Sequence, residues 1–181
     1  MEEPPSSRHE LAVLIEDAGW QEALPDAEAL VLRAGRAALA DQGAPLELSV
    51  LLTGDEAVRA LNARYRGQDK PTNVLSFPAD LAALPGEARL LGDLALAFQT
   101  CRREAGEQGK TLAAHLAHLV VHGTLHLLGH DHEAEPEAEA MEARERVLLA
   151  TLGLPDPYGP DPLEEGGAPA AGATTAGRGG R

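Results

Sequence analysis

The chain has 181 residues, 44% of them hydrophobic and only 3% aromatic, so it can form one domain whose core is mainly Leu, Ala and Val. The formal net charge of −14 argues against nucleic-acid binding driven by overall charge, so a nucleic-acid substrate would have to meet a local basic patch. The single cysteine, Cys101, excludes an intramolecular disulfide. The polar first ten residues and the lack of a 20-residue apolar run predict no secretory signal and no membrane span, so we expect a cytoplasmic protein.

Hydrophobic patterning predicts a mixture of short strands and longer helices. The predicted strands are Glu10–Glu16, Leu46–Thr53, Asn73–Phe77 and Leu90–Phe98, and the predicted helices are Asp26 to about Asp41, Glu56 to about Tyr65, Gln99 to about Glu107, Thr111–Leu128 and about Glu135 to Leu152. Because strict βαβ alternation is missing, the predicted class is α+β, a small mixed sheet flanked by helices. Residues 9–154 form the predicted domain. Residues 155–181 are rich in Pro, Gly and Ala and form a predicted disordered tail.

Two of the predicted helices carry specific expectations at their first residues and buried faces. Asp26 is predicted to cap the first helix, and Asp55 to open the second. On the second helix, Val58, Leu61 and Tyr65 share one face and are predicted to point inward.

Charged residues are unevenly spread. One short segment, covering the second predicted helix and the residues just after it, carries a basic group formed by Arg59, Arg64, Arg66 and Lys70. An acidic group lies on the last predicted helix and just before it, formed by Glu133, Glu135, Glu137, Glu139, Glu142 and Glu145. The simplest interpretation of the acidic group is the solvated face of the last helix.

Three histidines near the end of the longest apolar helix have the spacing of a metal site. His122 and His126 stand four apart and therefore project from one helix face. Gly129 is suited to the left-handed conformation that ends a helix, so the returning chain can bring His132 beside them. Three imidazoles plus water are typical of a catalytic zinc site, so we predict one Zn²⁺ held by His122, His126 and His132.

Other nearby residues are weaker candidates for the metal site. His115 and His118 extend the same face upstream and are interpreted as structural, with His118 a possible hydrogen-bond partner of a ligand. Cys101 is remote in sequence, and only His130 or Asp131 offers a fourth protein ligand. A catalytic site with three histidines is therefore the simpler prediction, although nickel or copper would also accept this ligand set.

The ligand spacing also matches the metzincin proteases, H-E-x-x-H-x-x-G-x-x-H, with one difference. The protease general base, a glutamate directly after the first histidine, is Gly123 here. A glycine cannot exchange a proton, so peptide hydrolysis by the usual route is not expected.

Three blocks of sequence together resemble the bacterial YbeY family of metal-dependent endoribonucleases. They are HGTLHLLGHDH at 122–132, LNARYRGQDKPTNVLSFP at 61–78 and LGDL at 91–94, in the family's order and spacing. The resemblance covers about Leu11 to Leu154. His130, where the family often has Tyr, and the long tail are departures that leave the ligands untouched.

This resemblance implies a fold, a cofactor and an activity. The implied fold is α+β, with the histidine helix against a small mixed sheet and zinc on His122, His126 and His132. The implied activity is cleavage of single-stranded RNA, in processing of the small-subunit (16S) rRNA 3′ end and in ribosome quality control, with the ribosome or ribosomal proteins as partners. The resemblance also implies that Arg66 is functionally required.

Residue chemistry gives Arg66 a role and leaves other assignments open. A guanidinium beside a metal can hold a phosphodiester, although an arginine at a helix end is also favoured electrostatically; Lys70 is a weaker candidate for the same patch. Asp93, in an apolar strand, either orients a ligand histidine or another polar group, or accepts hydrogen bonds from the backbone of a loop. The attacking group is either water or an RNA 2′-hydroxyl, and the general base is unidentified.

Two rival functions stay open at this stage. The first is a zinc protease or another hydrolase on the same scaffold, and the second is a zinc-stabilised ribosome-assembly factor without significant catalysis. The acidic net charge suits a basic ribosomal protein as the partner of the second.

Overall fold

The computed structural model describes residues 8–79, 89–129 and 135–158, which form one four-stranded sheet and six helices. The strands are β1 (Glu10–Ile15), β2 (Leu46–Thr53), β3 (Val74–Pro78) and β4 (Arg89–Ala97), and the helices are α1 (Gly19–Ala23), α2 (Ala27–Leu39), α3 (Asp55–Arg66), α4 (Phe98–Glu107), α5 (Leu112–Leu127) and α6 (Glu135–Thr151). This is the predicted α+β class, with a mixed sheet and a histidine-bearing helix.

The sheet has the order β1-β2-β4-β3, with β3 antiparallel to its neighbour and the other pairs parallel. Strand β4 is central and apolar because it is covered on both faces over most of its length. At Gly92, β4 passes so close to the backbone of β3 that an added Cβ would collide with the carbonyl oxygen of Phe77. Only glycine fits at this crossing.

The main core lies between one face of the sheet and helices α2 and α5. Alternate residues of β2, such as Leu48, Val50 and Leu52, point into it and are almost fully buried. On α2, Leu30, Ala34 and Ala38 recur at helical spacing and form a buried stripe. Helix α5 is buried along most of its length, which explains why its sequence is so apolar.

The opposite face of the sheet is covered only in part, by helix α3. Val58 packs there with residues of β3 and β4 in a second small cluster. Leu61 is partly buried against this cluster, as expected. The prediction for Tyr65 is wrong: its side chain is 59% exposed, and its ring packs edge-on against Phe77 at a groove in the open part of the sheet.

The predicted elements are confirmed to within two residues at each end, and Asp55 opens the second predicted helix as expected, whereas the predicted side-chain cap at Asp26 is wrong. Asp26 precedes α2 but makes no side-chain capping bond. Helix α3 starts at Asp55 after Gly54, and the Asp55 carboxylate accepts hydrogen bonds from the backbone and hydroxyl of Thr100. The short helix α1 was not predicted; it buries Trp20, whose indole N–H donates to the Thr53 carbonyl.

The predicted tail, 155–181, is described only as far as 158. Residues 155–158 pack back onto the helical layer: Lys110, two residues before α5, donates from Nζ to the Pro157 carbonyl at 3.0 Å, and Arg146 of α6 pairs with Asp156 at 3.2 Å. Residues 159–181 lie outside the described residues, and the boundary at 154 stays a prediction. Among the helices that the structure describes, none is both long and apolar enough to cross a membrane.

The single thiol, Cys101, is fully buried at the start of α4. Burial raises its pKa to about 12, and the neighbouring carboxylate of Glu104 adds to the shift. We therefore expect no labelling of native protein by a disulfide reagent at pH 8 and full labelling in urea, because the thiolate is the reacting species. Rapid labelling of the native protein would contradict this placement.

Candidate metal centre and its cleft

Helix α5 presents a row of four histidines, spaced by three, four and four residues, which places them along one side of the helix. They are His115, His118, His122 and His126. Burial decreases along the row, from almost complete at His115 to exposed at His126. His115 bonds Glu104 at 2.9 Å, and burial lowers its pKa, which fits the structural role predicted for it.

The helix ends as predicted. Gly129 has a φ of 102°, in the region that favours glycine, directly after the last turn of α5. The chain therefore leaves the helix axis next to His126. His132, the third predicted ligand, and the alternative candidates His130 and Asp131 lie outside the described residues. The structure thus brings His122 and His126 to one face and leaves the third position a prediction.

A buried carboxylate from helix α6 holds two of these histidines. Glu145 has no exposed surface, and its two oxygens lie 2.8 Å from Nε2 of His118 and 2.7 Å from Nδ1 of His122. The hydroxyl of Tyr158 donates to the same oxygen as His118. The interpretation of the acidic run as a solvated helix face holds for exposed Glu139 and is wrong for Glu145.

The hydrogen bonds on Glu145 fix its ionisation. Burial by itself would raise the pKa of this carboxyl. The hydrogen bonds from His118, His122 and Tyr158 outweigh burial and lower the pKa to about 2. An ionised carboxylate only accepts hydrogen bonds, so Nδ1 of His122 carries a proton and Nε2 is the nitrogen able to bind a metal.

Among the described residues, His118, His122 and Glu145 form a group whose ligand atoms lie within 4.8 Å of one another, so the group can hold a metal. Zinc ligands about 2.1 Å from the metal lie about 3.4 Å apart in a tetrahedral site. The separations of 2.7 and 2.8 Å on Glu145 are shorter and are those of hydrogen bonds. Glu145 therefore fits a group that orients a ligand better than a ligand itself.

A cleft of 460 Å³ joins the histidine row to the basic residues at the end of α3 and just after it. His118, His122 and His126 lie on one side of it, and Arg66 and Lys70 are among the other lining residues. Arg66 and the histidines come from segments more than 50 residues apart in the sequence, and the edge strand β3 brings them together.

The Arg66 guanidinium is anchored at the end of α3. It donates to the backbone carbonyl of Ser76 and lies over the Phe77 ring, 5.7 Å from its centre. This bond uses one of five guanidinium N–H groups, so others can meet an anion. Arg59 instead forms an ion pair with Asp69 at 2.7 Å and is not among the residues that line the cleft. We therefore assign it no part in binding an anion there.

Close packing at position 123 explains why a glycine stands there instead of the glutamate that serves as the general base in the proteases. A Cβ on Gly123 would lie 2.8 Å from Cδ2 of Leu94, because α5 packs closely on β4 at this point. The position faces the sheet, so a glutamate there would be buried against apolar side chains. The structure thus supports the sequence argument against peptide hydrolysis.

We expect Gly123→Glu to lower the free energy of unfolding of the metal-free protein by more than about 3 kcal/mol, because the carboxylate would be buried without a partner. Urea denaturation measures this. The matched control is Gly106→Glu on α4, where a Cβ meets nothing within 4 Å and the expected change is within about 1 kcal/mol. Equal effects at the two positions would contradict the close packing at Gly123.

Asp93 does not orient a ligand histidine. Its neighbour Leu94 contacts α5, so Asp93 points to the opposite face of β4, where its side chain is exposed. There it lines a groove with Leu14 and Tyr65 on the open part of the sheet. Because the Asp93 carboxylate is exposed, it carries no cost of burial and does not need the buried hydrogen-bond partner that the sequence led us to expect.

Sequence reasoning missed Glu145 and Tyr158, although a signal for Glu145 was present. On α6 the buried residues are Met141, Glu145, Leu148 and Leu149, which is the i, i+4, i+7, i+8 stripe of a core-facing helix. A glutamate inside such a stripe is buried and needs partners. No comparable signal marks Tyr158, which lies in the segment assigned to the tail.

Comparisons with known proteins point to one family. A family model described as "Endoribonuclease YbeY" matches residues 16–153. A relative of that description from Rhodopseudomonas palustris (strain HaA2) is 59% identical over 143 residues, covering 73% of each chain. Another from Magnetococcus marinus is 62% identical over 64% of this chain and 84% of its own. A third, from Paramagnetospirillum magneticum, is 53% identical over 83% of this chain and 96% of its own.

A solution structure from Thermotoga maritima has 23% identity and a TM-score of 0.49, over 82% of this chain and 99% of that one, and adds no weight. The family model covers most of the predicted domain, including both blocks that line the cleft. The chain therefore belongs to the Endoribonuclease YbeY family.

Proposed function

We propose that this protein is a zinc-dependent endoribonuclease that cleaves single-stranded RNA. The observation that carries the proposal is the cleft itself, which joins two histidines at ligand spacing to an anchored arginine. A metal and a fixed guanidinium are the groups that stabilise charge developing on a phosphate under attack. The relatives' shared description as endoribonucleases supports RNA as the substrate.

His122, His126 and His132 are the residues we propose as zinc ligands. The fit rests on two observations: His122 is held so that Nε2 is its metal-binding nitrogen, and Gly129 turns the chain beside His126. All-imidazole ligation with a remaining open position is typical of catalytic zinc. Bound there, zinc would polarise a phosphoryl oxygen and lower the pKa of a coordinated water.

Arg66 is proposed to bind the scissile phosphate, with Lys70 lining the same cleft. Its bond to the Ser76 carbonyl and its position over the Phe77 ring restrict the side chain before substrate arrives, which reduces the entropy lost on binding. The net charge of −14 disfavours binding of RNA by overall charge. The two cations give RNA a local positive site in this cleft, away from the acidic residues of helix α6.

In the cell, the proposed substrate is the small-subunit (16S) rRNA near its 3′ end, with further roles in ribosome quality control. The proposed partners are the ribosome or ribosomal proteins, and the proposed location is the cytoplasm. The family membership supports this setting. The acidic surface favours recruitment by a basic ribosomal protein, and this observation keeps a zinc-stabilised assembly factor as the second candidate function.

The experiment is cleavage of end-labelled single-stranded and duplex RNA of one sequence by the purified full chain, with zinc content measured on the same sample. We expect cleavage of the single strand, loss with a chelator and recovery with zinc. Stoichiometric zinc without cleavage would favour the assembly factor. The ends of the product identify the attacking group, because a 2′,3′-cyclic phosphate is formed only when the RNA 2′-hydroxyl attacks.

A further inference from the structure

We propose that Glu145 and Tyr158 are a positioning pair for the metal site: Glu145 fixes the ring of His122 through Nδ1, and Tyr158 fixes Glu145. The inference rests on the proposed function, in which His122 is a metal ligand. It assigns roles to a residue of the acidic helix and to a residue of the segment 155–158, which the sequence alone consigns to a tail.

The first step is the contact between Glu145 and His122. The 2.7 Å bond to Nδ1 sets both the tautomer and the rotation of the imidazole, and the carboxylate is fully buried, so no water competes for it. Such a carboxylate behind a ligand histidine commonly raises the affinity of the metal. Helices α5 and α6 pack directly on each other, so the bond joins two rigid elements.

The second step is how Glu145 itself is held. One oxygen takes the bond from His122, and the other takes bonds from His118 and Tyr158. His118 packs edge-on against both His122 and the Tyr158 ring, with ring centres 6.1 and 5.4 Å apart. The carboxylate is therefore restrained on both sides, which a lone hydrogen bond to a histidine would not achieve.

The third step is the anchoring of Tyr158. Its backbone N–H donates to Asp156, which in turn pairs with Arg146 on α6. The Arg146 guanidinium also lies 5.4 Å from the centre of the Tyr158 ring, and Lys110 binds the preceding carbonyl. The segment 155–158 is thus held at several points, with the hydroxyl of Tyr158 directed at Glu145.

The test measures zinc affinity by competition with a chromophoric chelator, for the full chain and four variants. Glu145→Gln has Glu139→Gln as its control, an exposed glutamate on the same helix. Tyr158→Phe has Tyr65→Phe as its control, the other tyrosine, which lies on the far face of the sheet. Urea denaturation of each metal-free variant separates affinity from folding.

We expect Glu145→Gln to weaken zinc binding by about 10- to 100-fold. For Tyr158→Phe we expect a loss of about three- to tenfold, because one hydrogen bond on the carboxylate is removed. Both controls keep the affinity of the original chain. The visible spectrum of the cobalt-substituted variants should shift while the number of bound ions stays at one, which loss of stability alone would not produce.

Two results would overturn the inference while leaving the proposed function in place. Unchanged zinc affinity in both variants would show that the pair does not position the ligand. Complete loss of zinc in Glu145→Gln, equal to that in His126→Ala, would make Glu145 a ligand. If Glu145→Gln fails to fold, Tyr158→Phe alone decides, since its side chain is 39% exposed and the change removes one atom. Absence of zinc binding by the original chain would overturn both proposals.

Discussion

His126→Ala is expected to abolish zinc binding and RNA cleavage while leaving the fold intact. His126 is exposed at the last turn of α5, so its removal should change the free energy of unfolding of the metal-free protein by less than about 1 kcal/mol. Loss of the hydrogen-bond partner of a ligand weakens metal binding by up to about 100-fold. Loss of one of the three ligands themselves should weaken zinc binding by more than that.

Chelator competition, circular dichroism and cleavage of single-stranded RNA together measure this. A metal-free His126→Ala chain that is folded and inactive supports a catalytic metal. An unfolded variant would instead assign the metal a structural role, because metal-binding energy would then be folding energy. Retained zinc at the original affinity would contradict the ligand assignment.

Arg66→Ala is expected to lower the rate of RNA cleavage by about 100- to 1000-fold, the range for loss of one preorganised group that stabilises transition-state charge. Zinc content should not change, because Arg66 reaches the cleft from α3 and is bonded to Ser76 rather than to a histidine. Stability should change little, since the side chain is largely exposed.

The matched control is Arg64→Ala. Arg64 lies two residues earlier on the same helix, over the Tyr65 ring at 5.3 Å and outside the lining of the cleft. Loss of the same charge there should leave the cleavage rate within about threefold, the effect of a distant surface charge screened by salt. Equal losses in the two variants would mean that general electrostatic attraction, and not contact with the scissile phosphate, is responsible.

The strands and the longer helices could be predicted from sequence because their apolar periods are strong. Strand β2 alternates buried and partly buried residues, and α5 carries a capping threonine at Thr111, which accepts a bond from the Ala114 N–H. Helix α1 could not be predicted, because five residues give no period and its stability comes from burying Trp20 in the tertiary core.

The residues of the candidate site also divide into those that the sequence could predict and those that it could not. Spacing along one helix suffices to group His122 with His126, and the resemblance adds Arg66, which the cleft places near them. The contact of Glu145 with His122 spans 23 residues and the contact of Tyr158 with His118 spans 40, and such pairings depend on how α5, α6 and the segment 155–158 pack. A local pattern cannot specify that packing, although the glutamate in an apolar stripe does indicate burial.

The central claim is that one cleft combines a zinc site with a phosphate-binding arginine. The most direct test measures zinc content and cleavage of a single-stranded RNA on the same preparations of the original chain and of Arg66→Ala. We expect one zinc per chain in both, with cleavage by the original chain and its loss in the variant. Stoichiometric zinc together with equal cleavage by both proteins would contradict the role of Arg66, and stoichiometric zinc with no cleavage by the original chain would contradict the enzyme itself.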